Sequence, residues 1–177
     1  MTANHSRLIV LLSAIVAAAA LRLVPHPPNF MPVGAMALFS GAYFGRRALA
    51  FAAPLGALLL SDAVLGFYHG MATVYAADLL IVVIGSMALS RRSPMRIGLA
   101  AVGSSVLFFA VTNFGMWLWS GIYPRTLAGL ETCFVAAVPF FQNTLAGDLF
   151  YSTLLFGAFK VAELMVPKLR AGEPQLA

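Results

Sequence analysis

Six apolar stretches, at roughly 8–24, 33–45, 48–67, 74–89, 97–119 and 143–166, fill this chain, and charge or Pro and Gly bound each of them. A helix needs about 20 predominantly apolar residues to cross the roughly 30 Å hydrocarbon core of a bilayer. The stretches are spaced for that purpose and leave only short loops between them. The chain has 177 residues, of which 61% are hydrophobic and 10% charged. A water-soluble fold of this size has too little interior to hide that much apolar surface. The sequence therefore predicts an all-α membrane protein, a single integral domain over 1–177 with about six transmembrane helices. The second stretch is short for a full crossing. The apolar segment 127–141 is expected to form a helical turn or re-entrant piece outside the sixth span.

The basic residues set the expected orientation. Arg7, Arg46, Arg47, Arg91, Arg92, Arg96, Lys168 and Arg170 all fall on one side, whereas the alternate loops hold Arg125 alone. Such asymmetry marks the cytoplasmic side. The expectation is N-in and C-in, in the cytoplasmic (inner) membrane of a bacterium. The pI near 9.9 follows from these topogenic clusters, and no polar basic face suggests nucleic acid. Arg7, the apolar run and Ala18-Ala19-Ala20 also fit a cleavable signal peptide, whose removal leaves the other spans as they are. The lone Cys133 excludes an intrachain disulfide framework.

Ionisable groups within a membrane are costly, so their positions point to function. Helical rise places Arg22, His26 and Asn29 at the outer end of span one, Asp62 near that of span three, and Asp78 near that of span four. Asn113 and Trp117 lie in the outer part of span five, and Gln142, Asn143 and Asp148 open span six. Two readings of this cluster stand open: a polar plug that locks the bundle, or a binding cavity open to the outside. The candidate substrate contacts are Arg22, His26, Asn29, Asp62, Asp78, Asn113, Trp117, Asn143 and Asp148. Lys160 and Glu163 are spaced for a simple pair at the inner interface. Trp117 also suits an interfacial aromatic belt. Pro25, Pro27, Pro28 and Pro32 stiffen the first outer loop, because each fixes φ. Ala14-x-x-x-Ala18 and Gly41-x-x-x-Gly45 allow close helix approach, inside this chain or against a partner. A metal ion is the alternative ligand, because Asp and His suit it, although no helical ligand pair is spaced for it. An intramembrane enzyme with Asp62, Asp78 or His26 as acid or base, which no nucleophile–base motif supports, and a structural subunit of a membrane complex are the other readings.

Four segments carry a resemblance. They are Pro27-Pro28-Asn29-Phe30-Met31-Pro32, Ser61-Asp62 after the Pro54-Leu55-Gly56 span, Thr112-Asn113-Phe114-Gly115, and the run from Pro139-Phe140-Phe141-Gln142-Asn143 to Thr144-Leu145-Ala146-Gly147-Asp148. Together they look like an uncharacterised group of small bacterial membrane proteins. That group is similar to the S components of energy-coupling factor (ECF) transporters, the substrate-capturing subunits of vitamin importers. The likeness runs from Leu8 to Val166 and names no ligand. It implies a six-helix S-component fold and an outward-facing pocket under the first outer loop. It also implies a small-residue motif on span one, matched by Ala14 and Ala18, that docks on a coupling transmembrane subunit. Paired ATPases would then drive uptake of a vitamin, cofactor precursor or similar small solute. The chain itself has no phosphate-binding G-x-x-x-x-G-K-[ST] loop. Some cobalamin-specific relatives of that kind use a cysteine, but Cys133 lies outside the matched segments and reads as apolar filler.

Overall fold

A computed structural model describes residues 5–170. Among them are six α-helices and no strand: α1 (His5–Ala20), α2 (Val33–Phe44), α3 (Ala48–Leu65), α4 (Met71–Ala88), α5 (Pro94–Trp119) and α6 (Leu127–Met165). A 3-10 turn, Leu21–Leu23, extends α1, and another, Pro167–Leu169, follows α6. Five helices are long and apolar enough to cross a membrane, as a multi-pass membrane protein requires.

The exception is α2, with 12 residues, or about 18 Å at the helical rise. It is apolar all round, and such a helix is stable only when surrounded. Every residue of α2 except Tyr43 is buried. It sits at the centre of the bundle and packs on all five other helices. Because its neighbours cover it, α2 has no lipid thickness to match, which accounts for the short second stretch. Its contact with α4 is backbone on backbone. A Cβ at Gly41 would collide with the Val82 carbonyl, and one at Gly85 with the Leu38 carbonyl. Gly41-x-x-x-Gly45 is thus divided in role: Gly41 makes the close approach, while Gly45 caps α2 at φ 65° with open space around it.

The segment 127–141 departs from expectation. It is the first part of α6, one continuous helix of 39 residues with Pro139 inside it. Thr126 caps its start, Oγ1 accepting from the Gly129 amide at 3.2 Å. The segment then returns along α5, with Phe134 edge-on to Phe109 at 5.5 Å and the Cys133 thiol directed at the Asn113 carbonyl. At about 58 Å, α6 is roughly twice as long as a bilayer core is thick. Interior proline forfeits one backbone hydrogen bond, and packing against α5 holds the helix through that loss.

At the opposite end, the first and last helices meet. Arg7 pairs with Glu163 at 2.7 Å and donates to the Leu169 carbonyl, with its guanidinium over the Phe159 ring at 5.1 Å. The expected pair of Lys160 with Glu163 is present at 4.0 Å with Lys160 68% exposed, and Arg7 is the closer partner. Arg92 lies over Tyr43 at 4.3 Å and donates to the Ala42 carbonyl at 2.7 Å. Both ends of the described chain therefore share one face of the bundle with the arginine loops.

Candidate functional site

The polar residues gather at the other end. Arg22 stands in the 3-10 turn beyond α1, where the helix tightens just below the proline loop. Its Nη2 pairs with Asp62 Oδ1 at 2.7 Å, and its Nη1 donates to Ser61 Oγ and to the Leu58 carbonyl at 3.4 Å. Asp62 is fully buried, and its other oxygen accepts from the Tyr75 hydroxyl at 3.0 Å. An ion pair out of water persists only when further hydrogen bonds satisfy both partners. Ser61 and Tyr75 provide those bonds. Together they join α1, α3 and α4.

Beside this pair lies a cavity of about 630 Å³, within the range of small-molecule sites. Arg22, His26, Asn29, Asp62, Asn113 and Asp148 all line it, which brings together six of the nine sequence candidates. Asp148 enters from α6, and the Ser105 hydroxyl donates to its Oδ2 at 2.7 Å. Gly34 at the head of α2 leaves room for that carboxylate, since a Cβ there would meet it. Asn113 bonds back to the Phe109 carbonyl of its own helix at 2.7 Å.

The remaining three candidates lie elsewhere. Asp78 is fully buried and does not line the cavity, and neither of its oxygens has a hydrogen-bond partner among the described residues. Trp117 donates its indole N–H to the Pro124 carbonyl at 2.9 Å, which closes the turn between α5 and α6. Asn143 is a loop anchor, its amide donating to the Pro28 carbonyl at 3.0 Å. That bond ties the proline loop to α6, and Phe30 adds ring contacts to Phe150 and Tyr151 at 5.8 and 5.5 Å. Asn29, at φ 63°, occupies the left-handed conformation that short polar side chains tolerate. It stands with His26 where the loop borders the cavity. Tyr68 borders it from the facing loop, and burial, then the nearby Asp62, raise its phenol above the ordinary value.

Sequence reasoning missed the walls. Phe108, Phe109 and Phe140 line the cavity with Met31, Val74 and Met116, and nothing in an apolar span marks which aromatics face a void. Ser105 and Tyr75 were visible as polar groups inside spans five and four, and pairing each with an aspartate needed the fold. Ala18 is buried and Ala14 half-buried, both against the chain's own core. The side of α1 left exposed carries Ser13, Val16, Ala17 and Ala20. Cys133 is buried away from the cavity lining. Among the described residues, no three His, Cys, Asp or Glu side chains are grouped to hold a metal ion.

The fold and its cavity can now be set against known proteins. Residues 2–169 match a family of unknown function, DUF6580. The chain belongs to DUF6580. No curated protein and no solved structure matches it, so this DUF6580 member's function must be argued from its own cavity.

Proposed function

We propose that this protein is a substrate-binding membrane subunit, similar in role to an ECF S component. It would take up a vitamin, cofactor precursor or similar small organic solute and be energised by a partner ATPase module. The observation that carries this reading is the cavity itself. It is large enough for such a solute, lies under the proline loop, and is lined by apolar walls with a few fixed polar groups. Small-molecule sites have that composition. The end of the bundle opposite the cavity carries the arginine loops, so the positive-inside rule would turn the cavity outward and both ends of the described chain towards the cytoplasm of an inner membrane. A partner would meet α1 along Ser13, Ala17 and Ala20, beside the half-buried Ala14.

The test is native mass spectrometry of the protein purified from its own membranes, with thermal-shift measurements across a panel of vitamins and precursors. A stoichiometric co-purified solute that raises the melting temperature supports the proposal. A protein that carries no solute and responds to none of the panel refutes it.

A further inference from the structure

The charges around the cavity do not balance, and the imbalance has a location. Arg22 is matched by Asp62: its Nη1 donates to Ser61 and Leu58 and its Nη2 to Asp62. Its remaining nitrogen, Nε, is sealed from solvent without a partner and is out of a ligand's reach. His26 stands at the loop with Nδ1 against the Pro27 carbonyl. Among the described residues, no cation is paired with Asp148. It is 3% exposed, lines the cavity, and receives one hydrogen bond, on Oδ2. Its Oδ1 accepts none from the protein. An unpaired carboxylate among apolar groups is costly, and a positive group arriving from the cavity relieves that cost. Phe108, Phe109 and Phe140 supply the walls around such a group, and aromatic faces attract cations.

Taking the solute-binding reading as its basis, we infer that the cavity selects an organic cation, with an amine or amidine-like group seated on Asp148 and an apolar or aromatic body against the phenylalanine wall. An anionic solute would find the Arg22 charge already paired with Asp62 and would face the Asp148 carboxylate.

Three probes of one shape decide the matter: phenethylammonium, 2-phenylethanol and 3-phenylpropionate, titrated calorimetrically into the full chain in lipid nanodiscs with empty nanodiscs subtracted. A charge-assisted hydrogen bond corresponds to about ten- to a hundredfold in affinity. The ammonium probe is therefore expected to bind at least about tenfold tighter than the alcohol, and the carboxylate weakest. In Asp148→Asn that preference should vanish, with the ammonium and the alcohol binding alike. An alcohol or carboxylate that binds as tightly as the ammonium overturns the cation assignment and leaves the solute-binding reading standing. So does a preference that survives in Asp148→Asn. If none of the three binds above the empty nanodisc, the cation assignment falls, and the solute-binding reading is decided by the co-purified solute. Should Asp148→Asn not fold, the wild-type ranking decides alone. Ser105→Ala, which keeps the carboxylate, should retain the preference.

Discussion

Arg22 Nη2 stands 2.7 Å from Asp62 Oδ1, a contact made across 40 positions of sequence with both side chains nearly closed to solvent. The pair forms one wall of the cavity and also fastens the end of α1 to α3. Of the two carboxylates that line the cavity, Asp62 is thus the structural one, because Arg22 and Tyr75 occupy both its oxygens. Asp148, with one oxygen free of the protein, is the one available to a ligand.

Exchanging the first carboxylate should therefore cost stability before affinity. Asp62→Asn leaves the Arg22 guanidinium buried beside a neutral amide. Breaking a buried pair from one side costs about 3–5 kcal/mol. A clear drop in melting temperature in detergent is expected, well beyond that of Asp148→Asn. The double variant Arg22→Met/Asp62→Leu should recover much of the loss, since no charge is then stranded. Equal melting of Asp62→Asn and wild type would show that the pair does not fasten α1.

Asn143 holds the proline loop down by a single amide bond to the Pro28 carbonyl. Its removal in Asn143→Ala forfeits about 0.5–1.5 kcal/mol without touching the cavity lining. Faster hydrogen exchange at the Asn29, Phe30 and Met31 amides is expected, together with faster release of any bound solute. Unchanged exchange across those amides would mean that Phe30 packing alone fixes the loop.

How much of this was legible beforehand depends on what a helix reveals of itself. Hydropathy and charge gave the spans, because crossing lipid demands long apolar runs with basic ends. Helical rise also grouped the polar residues at one end of the bundle, six of them around one cavity. None of these could give the direction in which a residue points. A soluble helix shows its buried side by its polar one, but these helices are apolar all round. Asp78 and Asp148 are both buried, yet only Asp148 borders the cavity, and Ala18 turns inward where Ala17 turns out. The continuity of α6 was hidden for a related reason. Gln142 and Asn143 resemble the polar start of a span, whereas here they interrupt a helix already begun at Leu127.

Close approach between α2 and α4 makes a contrast among glycines. Gly85→Ala forces a methyl into the Leu38 backbone, which cannot move aside as a flexible side chain would. Overpacking of this kind costs about 1–3 kcal/mol. Gly157→Ala meets nothing within 4 Å and should be neutral or slightly stabilising, given alanine's higher helix propensity. Parallel melts of the two variants check this. Similar behaviour would show that α2 and α4 are further apart than described.

Orientation rests on the arginine loops and can be measured directly. Single cysteines placed at His69 or Arg125, in a Cys133→Ala background, should react with a membrane-impermeant maleimide added to intact cells. Cysteines at Arg47 or Arg92 should react only after lysis. Labelling of Arg47 in intact cells would invert the bundle and place the cavity on the cytoplasmic side.

The small residues of α1 separate folding from coupling. Ala18 is 4% exposed and packs within the core, whereas Ala17 one position earlier faces outward. Leucine at the inward position has no room, so Ala18→Leu should lower stability by about 1–3 kcal/mol and disturb binding and uptake together. Leucine at the outward position meets no part of the chain's own core. If a partner helix lies along Ser13, Ala17 and Ala20, Ala17→Leu should leave melting and solute binding at wild-type levels while cutting ATP-driven uptake sharply, because small residues are what let two membrane helices approach. The measurement is uptake into cells beside binding to the purified variant. Uptake unaffected by Ala17→Leu would remove this face of α1 from any coupling contact, and loss of uptake only in Ala18→Leu would assign the alanines wholly to internal packing.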